Sequence, residues 1–240
     1  MRGPLLCLLL SVCAPSWAAH AHAQFGDVKY PPGFTHFDYV NPNAPKGGEI
    51  RMVPPTRPTN FDKFNPFTLK GTAPASIASL LFESLLVGNS DEPTTAYGLL
   101  AEDVTVAADR LSATFRLDPR ARFHNGDPVL AADVVHSFRT LVSKQAAPQF
   151  RTIYAEVRQA LALDERTVRF DFTSPNPELP LVVGSMPVFS RAWGQGKPFD
   201  QVVTDIPPVH SIVSMVMGDL GQPTLLLAPG ADEHDFQLKP

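Results

Sequence analysis

The sequence predicts an α+β fold, and three observations carry that prediction. Short runs of strictly alternating apolar and polar residues occur in pairs, one segment has a clear apolar stripe at helical spacing, and 25 prolines divide the 240 residues into short pieces. Proline ends helices and is excluded from central strands, so this density favours a loop-rich mixed fold over a bundle or a coiled coil. The chain is long enough to bury a sizeable core in one domain or two small ones.

The elements follow in order. Residues 30–45 are extended and punctuated by proline, after which Gly47-Gly48 introduces a short strand at 49–53 that Pro54-Pro55 stops. Residues 59–67 interleave Phe61, Phe64 and Phe67 with Asn60, Asp62, Lys63 and Asn65. Such a segment can lie over a ligand, or its rings can simply bury area and anchor a long loop to the core. Pro74 suits the first position of a helix whose apolar face is Ile77, Leu80, Leu81 and Leu85, ending near Gly88. Residues 89–97 read as a turn-rich connector.

Two hairpins come next, separated by a helix. Residues 102–106 and 111–117 flank Ala107-Ala108-Asp109-Arg110, with Ala113, Phe115 and Leu117 on one face. In the segment RARFHNGDPVLAADVVHSF, Asn125-Gly126 readily takes positive φ and Asp127-Pro128 reverses the backbone before the helical pattern begins. A helix starts near Ala131. Val134, Val135, Phe138, Leu141 and Val142 form its core stripe, leaving Asp133, His136, Arg139 and Thr140 to solvent or the margins. Residues 157–163 and 167–172 then flank Asp164-Glu165-Arg166, and Val168, Phe170 and Phe172 alternate with Arg169 and Asp171 as a half-buried strand. Between 174 and 198 glycine and proline interrupt the chain, with one apolar element at 181–189.

The N-terminus reads as an export leader. Arg2 precedes an apolar run at 5–12, and Ala21-His22-Ala23 is a small-x-small pattern that fits cleavage before Gln24. The run is too short to cross a hydrocarbon core, which needs about 20 residues. Both cysteines, Cys7 and Cys13, lie in this leader, so the processed chain carries no disulfide and no thiolate ligand. Val12 is bulkier than the residue a lipid-attachment motif places before its cysteine. Residues 1–23 contain Arg2 and no acid, so their loss takes the net charge from −4 to −5. No basic run is present to neutralise phosphates, which excludes nucleic acid as the expected partner.

Several separated motifs carry a resemblance. Tyr97-Gly98-Leu99-Leu100-Ala101-Glu102, Thr114-Phe115-Arg116-Leu117 and the segment 120–138 resemble the extracellular solute-binding proteins of peptide and nickel ABC importers, solute-binding protein family 5. Phe34-Thr35-His36-Phe37-Asp38-Tyr39-Val40-Asn41-Pro42-Asn43-Ala44-Pro45-Lys46-Gly47-Gly48 resembles the corresponding segment of oligopeptide-binding members whose import system also takes up peptide antibiotics. The likeness covers about residues 25–207. It implies a partial, truncated periplasmic-binding-protein-like lobe, a mixed sheet with packed helices and hairpins. It further implies a periplasmic location, an oligopeptide ligand, an inner-membrane permease and ATPase complex as partners, and a monomeric receptor. It marks no peptide-contacting position in this half. One departure is visible: Leu130 stands where family members place Thr or Ser as helix N-cap, which costs about 1 kcal/mol of helix stability, with Asp127 or Asp133 available to compensate.

From about Pro207 the resemblance changes. Residues 208–240, through Met217-Gly218-Asp219-Leu220-Gly221-Gln222-Pro223 to Glu233-His234-Asp235-Phe236, resemble the first βα unit of zinc-binding receptors of ABC importers. There the histidine of the Glu-His-Asp motif is a metal ligand, so the carry-over falls on His234 and, behind it, Glu233. His210 matches no ligand. Zinc needs about four ligands, so one imidazole and one carboxylate leave the site incomplete, and His36, His124 and His136 share no close spacing with His234. The expected organisation is therefore a signal peptide at 1–23, a partial family 5 lobe at 24–207, and a zinc-receptor-like βα fragment at 208–240. The leading functional expectation is an oligopeptide-binding component with impaired binding and no cofactor of its own. The alternative is a fragment of a zinc-uptake receptor, with zinc held through the tail.

Catalysis is not expected. His124 near Asp127 and Asp133, and Ser211 beside His210, are the only arrangements that invite it. Neither sits in a nucleophile elbow, a phosphate-binding loop or a metal motif with a full ligand set.

Overall fold

A computed structural model describes residues 19–49, 63–73, 76–193 and 199. Residues 50–53 of the expected strand, Pro74, and the whole of 208–240 with Glu233, His234, His210 and Ser211 lie outside the described residues. Eleven elements run in the order β1 (Ala21–Ala23), α1 (Ile77–Leu81), β2 (Leu86–Gly88), β3 (Thr95–Gly98), β4 (Ala101–Val106), β5 (Ser112–Leu117), α2 (Ala131–Leu141), α3 (Gln149–Ile153), β6 (Val157–Ala162), β7 (Thr167–Phe172) and α4 (Leu179–Gly184). The architecture is α+β, with mixed helices on two antiparallel sheets.

The larger sheet has strand order β4-β5-β7-β6, which joins the two predicted hairpins through β5 and β7. Period-two alternation gives each of these strands one core face. Ala113, Phe115 and Leu117 of β5, and Val168, Phe170 and Phe172 of β7, are at most 1% exposed. Phe115 and Phe170 meet edge-to-face at 5.9 Å, and Phe138 of α2 meets Phe170 in the same way. α2 thus lies across β6 and β7 with Val134, Phe138 and Leu141 buried against them. At the β4 end the register shifts between Ala101 and Asp103. In a regular strand Glu102 and Asp103 would point to opposite faces; the bulge lets Arg116 reach both.

The smaller sheet, β1-β3-β2, departs from the sequence reading in three places. The helix expected to run to Gly88 stops at Leu81, and Leu86–Gly88 forms β2 instead. Leu85 and Leu86 are buried while Leu80 is 69% exposed, so the apolar residues serve a strand and not one helical face. Residues 95–98, read as connector, are the central strand, paired on one side with β2 and on the other with Ala21–Ala23. Those three alanine-rich residues, read as a cleavage motif, are the edge strand β1. Gly98 closes the corner into β4: a Cβ there would stand 2.4 Å from the Ala101 carbonyl oxygen. Among the described residues no helix is long and apolar enough to cross a membrane.

α2 begins as read, and Asp133 supplies the compensation. The Leu130 N–H donates to Asp133 Oδ2 at 3.1 Å, which is one half of a capping box. The other half is missing, because a leucine side chain has no acceptor to offer. The Asp133 N–H turns instead to the Leu130 carbonyl at 2.9 Å, and the Ala131 N–H is satisfied by the Glu165 carbonyl at 2.9 Å, from the β6–β7 turn. Restoring the acceptor with Leu130→Thr should raise stability by about 1 kcal/mol, read as a higher urea midpoint at unchanged slope.

Candidate functional site

The residues around Phe67 form an aromatic wall beside a concave feature. Phe67 is 3% exposed and packs against Phe82 at 4.8 Å, Phe150 at 6.0 Å, Phe189 at 5.7 Å, Trp193 at 6.3 Å and Phe199 at 6.4 Å. Of the two readings of the 59–67 segment, the anchoring one applies to Phe67: its ring is core. Phe61 lies outside the described residues. Phe82 and Trp193 sit at the cluster's margin, partly exposed and 5.2 Å apart. On the outer side of Phe67 lies an open depression of about 390 Å³, lined by Lys63, Pro66, Thr68, Gly71, Thr72, Ala73, Ser76, Ile77 and Ala78.

The loop that shapes this depression is tied from inside. Asn65 Oδ1 accepts from the Phe67 N–H at 3.0 Å and Asn65 Nδ2 donates to the Phe199 carbonyl at 3.0 Å, so one buried amide holds two segments. The Lys63 ammonium donates to the Thr68 carbonyl at 2.7 Å, to the Thr68 hydroxyl at 3.0 Å and to the Lys70 carbonyl. All three of its protons are spent on closing its own loop. Hydroxyls beside Pro66, Ile77 and Ala78 make a mixed surface suited to contact. Among the lining residues no carboxylate, imidazole or thiol stands beside a hydroxyl to activate it.

The wall is held to the rest of the lobe by two side chains of α2. Asp133, only 4% exposed, accepts from the Leu130 N–H through Oδ2, and through Oδ1 from the Arg191 N–H and Nε–H, both at 3.1 Å. Ser137, fully buried, accepts from the Phe189 N–H at 2.9 Å and directs its hydroxyl towards the Phe189 carbonyl at 3.1 Å and the Asp133 carbonyl at 2.9 Å. Of the two expectations for Asp133, solvent or the margin of the apolar stripe, the structure gives the margin, and buries it. Helical spacing places 133 and 137 one turn apart, and both face the 186–191 segment, where Pro187 and Val188 pair with the Glu83–Ser84 backbone and the N–H groups of Phe189 and Arg191 bond to these two side chains instead. The signal was present as an unmatched polar pair flanking Val134, but its meaning depended on where residue 189 would come.

A second polar cluster docks the N-terminal segment. Tyr30, Phe34, Phe37 and Tyr97 form a box of rings with centroids 5.1–5.7 Å apart. The Tyr97 hydroxyl donates to Glu92 at 2.5 Å and the Tyr30 hydroxyl to Asp91, whose carboxylate also takes the Lys29 ammonium at 2.8 Å. Burial, then the acceptor carboxylate, pushes both phenols above their usual range. Lys29 and Tyr30 hold Asp91 below the usual carboxylate range. The Phe34 and Phe37 of the family-like segment therefore serve packing.

The other singled-out residues do not converge. His36 and His124 are exposed, and Asp127 pairs with Asn125 at 2.7 Å while Asp133 is engaged by Arg191. His136 is half-buried with its ring edge-on to Phe189 at 5.8 Å. Among the described residues no group of three or more His, Cys, Asp or Glu could hold a metal ion.

Comparison with known sequences gives this architecture its relatives. The profile of bacterial extracellular solute-binding proteins, family 5 Middle, matches residues 95–207. Over that stretch the chain belongs to family 5. An uncharacterised protein, y4wM of Sinorhizobium fredii, is 41% identical over 76% of this chain and 28% of its own length. A probable peptide-binding protein, YejA of Agrobacterium fabrum, is 37% identical over 86% of this chain and 32% of its own. The uncharacterised YejA of Escherichia coli K12 is 37% identical, covering 80% and 31%. The chain thus spans about three-tenths of the length of these family 5 relatives. Among solved structures, OppA of Haemophilus influenzae in complex with RPPGFSPFR is similar at 25% identity and a TM-score of 0.47, over 55% of this chain and 31% of that one.

Two measurements check the pin between α2 and the wall. Ser137→Ala leaves the buried Phe189 N–H without an acceptor and should cost about 1–3 kcal/mol by urea denaturation. Burial lowers the pKa of His136, with Arg191 adding to the effect and Asp133 opposing it. The unfolded chain therefore takes up this proton at a higher pH than the folded one. Stability falls as pH drops below about 6.5, the ordinary histidine value. His136→Asn should reduce the loss of Tm between pH 7 and pH 5, measured at matched ionic strength.

Proposed function

We propose that this chain derives from the periplasmic receptor of an ABC importer for oligopeptides, of which residues up to 207 form part of one lobe. An N-terminal leader exports it, and residues 208–240 are an ending of separate origin. The observation that carries the reading is 37% identity over 86% of the chain to a probable peptide-binding protein, together with the family profile. The receptor would hand its ligand to a permease and ATPase complex in the inner membrane and act as a monomer.

The physical logic suits peptides. Extended backbones present regular donors and acceptors, so a receptor can hold them through main-chain bonds and leave loose pockets for varied side chains. Capture by such receptors depends on a second lobe closing over the ligand. A lone partial lobe lacks half of the contact area and the closure step, so we assign this chain weak peptide binding at most. No reacting group is assigned, and the chain is read as a carrier without catalysis or a resident cofactor.

Calorimetry with a mixture of short peptides tests this reading. The chain alone should give no heat at micromolar concentrations. A fusion of residues 1–207 to the portion of the Agrobacterium relative that follows the aligned region should bind in the micromolar range. Micromolar affinity in the unfused chain would overturn the impaired-site reading, and a folded fusion blind to every peptide would overturn the ligand class.

A further inference from the structure

We propose that the export leader is severed between Ala18 and Ala19, so that the processed chain keeps residues 19–23 as its first strand. The proposal rests on the reading that the chain is exported. Beyond the apolar run four positions have Ala or Ser both at the cut and two before it: Ala14-Pro15-Ser16, Ser16-Trp17-Ala18, Ala19-His20-Ala21 and Ala21-His22-Ala23. Sequence pattern alone does not choose among them. The fold does.

Residues 19–24 are bonded into both sheets. The Ala19 N–H donates to the Val104 carbonyl at 3.0 Å and the Val104 N–H returns to the Ala19 carbonyl at 2.8 Å, fastening the start of the chain to β4. The Gly98 N–H donates to the His20 carbonyl at 2.8 Å, and the His20 ring bonds the Tyr30 carbonyl at 2.8 Å. Ala21, His22 and Ala23 pair with Tyr97, Ala96 and Thr95, and the Gln24 N–H closes on the Thr94 carbonyl at 2.9 Å. Ala21 is 6% exposed, and its partner Tyr97 is fully buried.

A cut after Ala23 would remove this whole set. Gly98 and Val104 would lose the acceptors of their N–H groups, and β3 would become a bare edge. A cut after Ala21 would still remove Ala19, His20 and the first ladder pair. The cuts after Ser16 and after Ala18 leave every bond in place; of the two, the cut after Ala18 starts the chain at its first bonded residue, and the new α-ammonium at Ala19 retains a proton for the Val104 carbonyl. It also leaves six residues between the apolar run at 5–12 and the cut, against eleven for the site after Ala23.

The test is N-terminal sequencing and intact mass of the full chain expressed with its own leader in a Gram-negative host and recovered from the periplasm. A product starting at Ala19 is expected. A start at His22 or Gln24, or lipid attached at Cys13, would overturn the assigned bond while leaving export intact. Full-length chain confined to the cytoplasm would overturn both this proposal and the export reading. Ala18→Phe should at least halve the processed fraction and Ala23→Phe should leave it starting at Ala19; the reverse pattern would overturn the proposal. Mass reports the cut whether or not a variant folds.

Discussion

The buried carboxylate of Asp133 is the constraint on which the remaining arrangement depends. It caps the helix that covers the larger sheet and, through its other oxygen, grips Arg191 in the segment that follows α4. A carboxylate this enclosed is tolerable only when its lone pairs are filled, and here backbone N–H groups and a guanidinium fill them. Ser137, one turn further, binds both polar groups of Phe189. Phe189 in turn stacks against Phe67 and Phe199 at 5.7 and 5.3 Å, and so positions the aromatic wall. Helix cap, the segment after α4 and ring cluster are therefore one mechanical unit.

Parts of this were legible in the sequence because they are written in local periods. β5 and β7 announce themselves by alternation, and each has one fully buried face, as alternation requires. The α2 stripe is equally plain, and Gly126 has the positive φ that Asn125-Gly126 suggested. The smaller sheet was not legible, for a physical reason. β1, β2 and β3 are three or four residues long, too short for any period, and the central β3 completes its pairing only with β1, far away in the chain. Leu80, Leu81 and Leu85 happen to match a helical spacing, yet the pairing of Leu86 with Gly98 overrides it. Asp133 shows the same limit for side chains: its position on a helix margin was readable, but its burial came from a segment more than fifty residues later.

The candidate site divides in the same way. That Phe67 would be an anchor followed from the general tendency of aromatic rings to bury area. That Lys63 would close its own loop, and that Asn65 would bridge to Phe199, did not follow from residue type, since both are ordinarily solvent-facing. The depression beside them is shaped by internal bonds of the loop.

The pairing of Ala21 with Tyr97 also orders events in time. A strand near the start of a polypeptide is synthesised early, while its partner and the β2 segment that flanks that partner emerge much later. Until then its donors and acceptors face water or a holding chaperone, and loop closure over the intervening residues delays the sheet's completion. The family-like rings of Phe34 and Phe37 pack on the same Tyr97, so they too wait for that late partner.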